Sequence, residues 1–536
     1  MAFQPSSNIY IGTVPFDASY RHVRYIADRA EQQQYFASLC PTALRRDDYT
    51  YQRIDNSVVV PFNAETLYGY NYCMFQNENY GDRWFYSFIN DIEYVNPQSS
   101  RLHLELDIMQ TWFPDCTVNP CMVEREHVNN DAIGAHIKDE GFSTGEMKCV
   151  KTFYDAPPMY IVVSSAAEPL TDGTYVNNQG DMYMNVASGT ALSVFDPVTQ
   201  LGEFKVFIKA LSDNGQQDAI NAIYMVPGYV MNGIASKANG YGEWIKGSTD
   251  ARSDVITFDL EYDSLDGYVP KNNKLFCFPY EYCELSNAVG QNQQLALEYF
   301  NANGSIALTR TGGVDVNSTM LYIPKWYNGA EYYYEGALNM PAYATCNWVY
   351  QAYANMLGQS KYSFDLPAVL EDASGNRYGE LGSVQGDMET LAWSQAFMNN
   401  VTTLNAVGGL KDSYVTAAQL SQKQRTPNTT RGGTNSSITL VNIDAYKLIV
   451  RKWVVRAEIA KQIDDYFTMY GYTVSEIKMP NLTGRQSWNY VKTNGASVVG
   501  KVPANVLKRI NSLFDRGLTF WHIDDVGNYA LSNSIV

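Results

Sequence analysis

Histidine, paired cysteine and long apolar runs are scarce in this 536-residue sequence, and each scarcity excludes a class of protein. There are five histidines and eight cysteines, and no two cysteines form a CxxC pair. We therefore predict no metal site and expect the cysteines to be reduced core residues. Because no run approaches about 18 consecutive apolar residues, we expect no transmembrane helix. The N-terminus lacks the basic and apolar regions of a signal peptide, so we expect synthesis in a reducing cytosol.

The sequence also lacks the short motifs that usually indicate an enzyme. It contains no GxxxxGK[ST] phosphate loop, no HExxH metal motif and no nucleophile elbow. His127 follows three charged residues, which is typical of a charged strand end, and Asp524-Asp525 beside His522 is typical of a solvated turn. Adjacent carboxylates on a strand point to opposite faces, so they are poorly placed to share a metal ion. We predict that the chain is not an enzyme and uses no cofactor.

Basic residues are outnumbered by acidic residues, 39 to 56, which gives a formal net charge of −17. Proteins that grip nucleic acid carry clustered lysine and arginine, so this balance argues against a nucleic-acid-binding surface. It permits a protein through which DNA passes, because an acidic lumen repels phosphates and the duplex then slides without binding to the wall.

The best-defined pattern that is present is a pair of long alternating stretches in a chain with 41 tyrosines. A period of two predicts half-buried strands over Arg83–Val95 and Arg101–Trp112, joined by a turn at the residues between them. The first strand is predicted to carry Phe88 and Ile92 on one face, and the second to continue its polar face to Asp107. Antiparallel strands of this length favour a wall or a barrel over a compact enzyme core.

Composition and pattern divide the chain into four predicted parts. Residues 1–150 and 151–360 are predicted to form β-rich domains, and residues 361–437 are rich in small polar residues, as in a long loop. Residues 438–536 have the order strand, helix, strand, strand, helix, strand, which is a split βαβ unit. The first of these helices is predicted to end at Gly471. The predicted fold class is mainly β or α+β, with several domains.

Inside the predicted loop lies a semi-apolar stretch, Met388–Leu410, whose apolar residues fall at loosely helical spacing. A loop of this length in a compact protein is usually functional or disordered. Amide and hydroxyl side chains interrupt the stretch, and such groups are costly in lipid when they are unpaired. The candidate residues of this segment are Met388, Leu391, Trp393, Phe397, Met398, Val401, Leu404, Val407 and Leu410.

Three sequence blocks near the two ends of the chain carry a family likeness. They are Val14–Ile26, Met74–Val128 and Asp465–Tyr529, and they include GDRWFYSFINDIEY, LELDIMQTWF and SLFDRGLTFWHIDDVGNY. Together they resemble the tail-knob, or distal tail-tube, proteins of small short-tailed phages of Gram-positive bacteria. None of the blocks is a catalytic signature.

The resemblance implies a structural virion protein of the tail, made in the host cytoplasm. It implies a homohexameric ring of β-barrel-like tube domains that conducts phage DNA, with the unit at 438–536 packed against the tube domain. The implied partners are other copies, other tail and connector proteins, double-stranded phage DNA and the host membrane. The loop at 361–437 is expected to plug the channel and to enter the membrane on ejection. Because Met388–Leu410 is more polar than the family's usual loop, it favours a plug over membrane insertion.

Two other functions fit parts of the sequence. A cell-wall glycan-binding receptor module of the tail is indicated by the tyrosine content and by the aromatic cluster from Trp326 to Tyr334. A glycan hydrolase requires a pair of carboxylates in a cleft, and the sequence alone does not place such a pair.

Overall fold

A computed structural model of the chain describes two compact units. Unit 1 comprises Met1–Met147, Ser264–Tyr280 and Val455–Val536, and unit 2 comprises Lys148–Asp263 and Glu281–Val454. The residues described are 7–47, 51–52, 56–77, 83–169, 175–177, 182–183, 186–187, 191–196, 199–213, 219–231, 234–236, 243–245, 253–287, 290–300, 304–313, 318–343, 345–350, 361–365, 369–371, 377–380, 383–387, 430–431 and 447–536.

Unit 1 contains a seven-stranded antiparallel sheet that includes the predicted hairpin. One face of this sheet buries Ile9, Leu102 and Leu104, and the other buries Tyr72 and Met74, so its central strands are dry on both faces. The strands, in order across the sheet, are Arg45–Arg46, Ser7–Gly12, Tyr72–Asn77, Trp84–Asn96, Ser99–Leu106, Ser57–Val60 and Tyr51–Gln52.

The hairpin differs from its sequence prediction because of a β-bulge in the first strand. The pairing register shifts between Ile89 and Asp91, so that Phe88 lies opposite Glu105 whereas Ile92 lies opposite Leu102. A bulge inserts one extra residue and exchanges the faces of the residues that follow. Phe88 and Ile92 therefore lie on opposite faces of the sheet, and the prediction of one continuous apolar face was wrong.

The second strand of the hairpin is also shorter than predicted. It ends at Leu106, and a helical turn, Ile108–Thr111, follows. Asp107 Oδ1 accepts hydrogen bonds from the backbone amides of Met109 and Gln110 at 3.0 and 3.1 Å. This carboxylate satisfies two amide groups that the start of a helix leaves free, so it ends the strand as an N-cap.

A five-stranded sheet in unit 1 contains most of the predicted C-terminal unit. Its order is His22–Arg24, Leu518–Trp521, Trp488–Asn494, Cys121–Glu126 and Tyr472–Lys478. The predicted order of strands and helices at the C-terminus is present, but the first strand, Leu448–Val455, pairs with Glu281–Asn287 in unit 2. Element order alone does not specify sheet partners, and here two strands from the N-terminal part complete the sheet.

The remaining elements of unit 1 are short, apart from two amphipathic helices. The helix Ala457–Tyr470 ends at Gly471, as predicted, and the helix Ala504–Arg516 buries Ile510 and Phe514 in the core. Gly471 has a φ of +65°, and a Cβ there would lie 2.1 Å from the Glu126 carbonyl oxygen. Further elements are the helices Arg29–Ser38 and Ala64–Leu67, the 3-10 turns Thr42–Leu44, Phe113–Asp115 and Asn273–Phe276, and the strand pair Cys116–Val118 with Val498–Gly500.

Unit 2 consists mainly of three sheets around an apolar core that includes Val162, Leu285, Leu308 and Tyr322. The four-stranded sheet has the order Met147–Asp155, Leu448–Val455, Glu281–Asn287 and Asn292–Leu295. The five-stranded sheet has the order Ser253–Asp259, Ser305–Gly312, Thr319–Tyr327 and Ala330–Tyr332, with Leu338–Ala342 also paired to Thr319–Tyr327.

The nine-stranded sheet of unit 2 extends into the predicted loop. Its order is Ile234–Ser236, Glu243–Ile245, Ala191–Phe195, Met159–Ser165, Ile220–Pro227, Thr345–Tyr350, Lys361–Asp365 and Ser383–Asp387, with Thr430–Arg431 also paired to Thr345–Tyr350. Smaller elements are the strand pairs Ala167–Pro169 with Tyr175–Asn177, Met182–Tyr183 with Val186–Ala187 and Val369–Glu371 with Arg377–Glu380, the helix Leu201–Asp213, and the 3-10 turns Gly228–Met231, Leu297–Tyr299 and Tyr334–Gly336. The part of 361–437 that the structure describes thus contains strands, and the four-part division of the chain stays a prediction.

Candidate functional site

The outer end of the long hairpin is exposed to solvent. Beyond the bulge, the Glu93 carboxylate contacts Arg101 at 3.2 Å and His103 at 3.3 Å on the solvent face. Tyr94 and Val95 are 57% and 44% exposed. Exposed apolar side chains beside paired charges of both signs are suited to contacts with another protein, because the charges fix register while the apolar groups supply affinity.

Two strands that flank the central part of the predicted loop belong to one sheet. Ser383–Asp387 pairs with Lys361–Asp365, which pairs with Thr345–Tyr350, and the opposite side of Thr345–Tyr350 takes Thr430–Arg431. The segment 388–429 therefore connects two strands of the nine-stranded sheet. All the candidate plug and membrane residues, from Met388 to Leu410, lie outside the described residues.

Ionisable groups buried in unit 1 form a network around Glu140. Its side chain is 0% exposed and forms salt bridges with Arg125 and Lys274, and one of its oxygens accepts the Thr473 amide hydrogen at 2.9 Å. Burial alone would raise the pKa of Glu140, but the two cations bring that pKa below its ordinary value. The network holds the irregular segment after residue 128 against the five-stranded sheet, which is a structural role.

Two other buried carboxyl groups have raised pKa values without access to a substrate. Burial raises the pKa of Asp107 to about 6 and that of Glu281 to about 8. Asp107 accepts the Tyr72 hydroxyl hydrogen at 2.9 Å, and Glu281 lies 2.7 Å from the ammonium group of Lys452. Both carboxyl groups are at most 1% exposed. Perturbed carboxyl groups often indicate active sites, but these two are closed inside the cores.

His127, predicted to belong to a charged strand end, directly follows the strand Cys121–Glu126 but is 2% exposed and neutral. Its Nδ1 accepts the Tyr490 amide hydrogen at 2.7 Å, and its Nε2 donates to the Thr468 carbonyl oxygen at 3.0 Å. Burial lowers its pKa to about 3.

Within the described part of the chain, no group of three or more histidine, cysteine or acidic side chains could hold a metal ion. The described helices include none long and apolar enough to cross a bilayer.

The aromatic cluster that motivated the glycan hypothesis is partly buried and partly exposed. Tyr327 is 7% exposed and packs in the core, whereas Trp326, Tyr332 and Tyr334 are 43%, 41% and 66% exposed. The cluster lies on the hairpin of Thr319–Tyr327 and Ala330–Tyr332 in unit 2.

Comparisons with known proteins agree over the whole chain. A family model described as Bacillus phage phi29, tail knob protein gp9, C-terminal domain matches residues 244–534, and one described as Caudoviral major tail protein N-terminus matches residues 6–117. The chain is 24% identical to tail knob protein gp9 of Bacillus phage phi29 and 26% identical to that of Bacillus phage PZA, with 100% of each chain covered. The bacteriophage C1 tail knob protein gp12 has the same fold, with a TM-score of 0.64, 15% identity and coverage of 99% and 100%.

These matches define the chain as a structural protein of a bacteriophage tail, and no catalytic activity is indicated. The first family model covers more than half of the 536 residues. The chain belongs to the tail knob protein family of gp9 of Bacillus phage phi29 and is a component of the virion tail. The predicted family and the predicted mainly β, multidomain fold are therefore confirmed.

The sequence prediction missed the residues that hold unit 1 together. Glu140 and Lys274 are 134 residues apart, and neither belongs to a recognisable motif. The segment after residue 128 is irregular and its residues are mostly exposed or half-buried. Nothing in the sequence therefore indicated that the side chain of Glu140 would be buried between two cations.

Proposed function

We propose that this chain forms a homohexameric distal tail tube that conducts phage DNA into the host, with the segment 388–429 as a channel plug. The partners of the proposed tube are other copies of the chain, adjoining tail and connector proteins, and the duplex in the lumen. Entry of the plug segment into the host membrane on ejection belongs to the same proposal. The observation that carries it is the long hairpin with an exposed outer end, in a chain of the tail knob family.

The exposed hairpin end supports self-assembly. Tyr94 and Val95 lie next to paired charges at the end of a seven-stranded sheet, where a neighbouring copy would remove apolar surface from water. The net charge of −17 supports a conduit rather than a DNA-binding surface, because like charge prevents the duplex from sticking to the wall.

The position of the segment 388–429 supports the plug. The residues that flank it, Asp387 and Thr430, belong to strands of one sheet, so the 42 residues between them can extend away without breaking the sheet. The amide and hydroxyl groups of Met388–Leu410 suit a plug in a wet channel, where water can hydrogen-bond to them.

Native mass spectrometry of the purified full chain tests the ring. The expected species has six times the chain mass of 60.2 kDa. Tyr94→Glu with Val95→Glu should shift the population to smaller species, because each change places a charge in an apolar contact. Tyr68→Glu, at a tyrosine that is 66% exposed, is the matched control and should keep the ring. A chain that stays monomeric at every concentration, and inside intact tails, would contradict the proposal.

The plug is tested by replacing 388–429 with a short linker in the phage. Three strand spacings separate the two ends of the segment, about 15 Å, and an eight-residue Gly/Ser linker has an r.m.s. span of about 15 Å. Tubes should assemble normally, whereas DNA retention or delivery should fail. A second phage keeps the length but carries serine at the nine apolar candidate positions, which separates the effect of apolarity from that of length. Unchanged infectivity of the deletion phage would refute the plug.

A further inference from the structure

Three exposed aromatic side chains of unit 2 lie on one hairpin or in the 3-10 turn that directly follows it. The strands join through Asn328-Gly329, whose φ values are +50° and +76°. Trp326, Tyr332 and Tyr334 are each at least 41% exposed, and the ring centroids of Tyr332 and Tyr334 lie 6.5 Å apart. Large apolar groups that cluster on a protein surface usually mark a binding site.

The backbone at Trp326 is strained in a way that burial does not offset. Its φ is +57°, in the left-handed region that bulky residues rarely occupy. The side chain is nevertheless 43% exposed, so little packing compensates the strain. Strained residues that persist are concentrated at binding and catalytic sites, where the geometry has a function.

The exposed rings stand on a rigid base. The buried ring of Tyr327 lies 5.0 Å from that of Phe300 and 4.8 Å from that of Tyr333, measured between centroids. The Tyr327 hydroxyl oxygen accepts the Ala296 amide hydrogen at 3.2 Å, and the Tyr333 amide donates to the Pro324 carbonyl at 2.9 Å. A base fixed in this way means that little entropy is lost when a ligand binds.

Polar groups of both signs border the rings. The Lys325 ammonium nitrogen lies 5.8 Å from the centroid of the Trp326 ring and 5.9 Å from that of Tyr332. Glu331 and Glu335 are exposed beside the tyrosines, and Glu335 Oε2 accepts the Tyr333 hydroxyl hydrogen at 3.3 Å. The stretch from 325 to 335 contains no leucine, isoleucine, valine or methionine, so the apolar part of the surface consists of flat rings.

We propose that this hairpin end binds a neutral polysaccharide. Sugar rings have flat apolar faces formed by C–H groups and polar edges formed by hydroxyl groups. The faces match Trp326, Tyr332 and Tyr334, whose rings are apolar with a polar rim. The edges match Lys325 and the two carboxylates, which donate and accept hydrogen bonds respectively. One cation against two carboxylates does not favour a polyanion, and the lack of leucine, isoleucine, valine and methionine does not favour the apolar core of a protein interface.

The proposed activity adds carbohydrate binding to a structural tail protein and does not depend on ring assembly. In a virion tail, the source of such a ligand would be the host surface. The test applies the full chain to a printed array of neutral glucans, galactans and N-acetylglucosamine oligomers, with a sulfated glycan as the polyanionic probe. We expect saturable binding to at least one neutral glycan and none to the sulfated one.

Two variants assign the binding to the hairpin. Trp326→Asn and Tyr334→Ser should each weaken binding about tenfold. Asparagine tolerates the left-handed region better than tryptophan, so Trp326→Asn should keep or raise the thermal unfolding midpoint. Tyr68→Ser is the matched control, because Tyr68 has the same 66% exposure as Tyr334 but lies in unit 1, and it should bind like the parent.

Several outcomes would overturn the proposal. They are an array without binding to any neutral glycan, binding only to the sulfated glycan, and equal binding by the parent and both variants. A smaller assembly mass for Trp326→Asn and Tyr334→Ser, with no loss of glycan binding, would instead identify the patch as a protein contact. If Trp326→Asn unfolds, Tyr334→Ser still decides, because it changes a side chain that is mostly in solvent.

Discussion

Acidification should destabilise unit 1 through His127, which the fold keeps neutral. The imidazole is 2% exposed, and both of its nitrogens are already engaged, Nδ1 as an acceptor from Tyr490 and Nε2 as a donor to Thr468. A second proton would have to enter at Nδ1, against an amide hydrogen that points at it. Protonation at Nδ1 therefore requires that the hydrogen bond from the Tyr490 amide be broken.

The size of the effect follows from the two pKa values of this histidine. In the unfolded chain the pKa is about 6.5, and in the folded chain burial lowers it to about 3. Between these two pH values the unfolded state binds more protons than the folded state. The contribution of His127 to the free energy of unfolding is therefore full above pH 6.5 and is lost as the pH falls towards 3. From pH 7 to pH 5 the loss is about 2 kcal/mol. His522, with a pKa lowered to about 4 by burial, acts in the same direction, and Asp107, with a raised pKa, opposes both.

Urea unfolding at pH 7, 6 and 5, followed by circular dichroism, isolates the contribution of His127. His127→Gln should be less stable at pH 7, because glutamine cannot replace both hydrogen bonds, but its loss between pH 7 and 5 should be smaller by about 2 kcal/mol. His103→Gln changes a surface histidine beside Glu93 and serves as the control. Parallel pH dependences for the parent and His127→Gln would refute the reasoning.

Three further substitutions test how unit 1 is held together, each by urea unfolding at pH 7. Gly471→Ala should cost more than about 1 kcal/mol, because it strains a positive φ and places a Cβ against the Glu126 carbonyl; an unchanged midpoint would contradict the close approach. Lys274→Met leaves Glu140 buried with one cation fewer and should cost about 3–5 kcal/mol. Adding Glu140→Gln to that variant should recover part of the loss, and strict additivity would show that the two residues are not coupled. Asp107→Ala removes the helix cap and should cost about 1–2 kcal/mol, whereas no loss would show that the cap is dispensable.

The period-two pattern of the hairpin was sufficient to predict two strands and the length of the first one, but not that both faces of the sheet would be buried. It could not predict the bulge at Ile89–Asp91, because a bulge changes pairing and not composition. It also missed the strand end at Asp107, because the alternation of apolar and polar residues continues through this position, although aspartate is preferred at helix N-caps and depleted in strands. Local sequence therefore specified the strands, whereas the partner strand decided which side chains share a face.

The buried polar groups were unpredictable for a different reason. His127 is hydrogen-bonded to residues more than 340 positions further along the chain, and its sequence neighbours are charged. Burial of this kind depends on which strands become neighbours in a sheet. The family likeness, by contrast, was recoverable because it rests on ordered blocks along the chain and not on any single contact. The plug residues from Met388 to Leu410 stay a prediction.

The path of the chain explains why sequence divisions and compact units differ. The chain crosses between the units after Met147, Asp263, Tyr280 and Val454, so unit 1 is assembled from three separate segments. The predicted C-terminal unit is divided at one of these crossings, because Leu448–Val455 completes a sheet of unit 2 while the helix that follows packs in unit 1. A fragment that starts at residue 438 would carry that strand without its partner and would expose an apolar edge. Each unit is therefore built from segments that lie, in sequence, on both sides of a segment of the other unit.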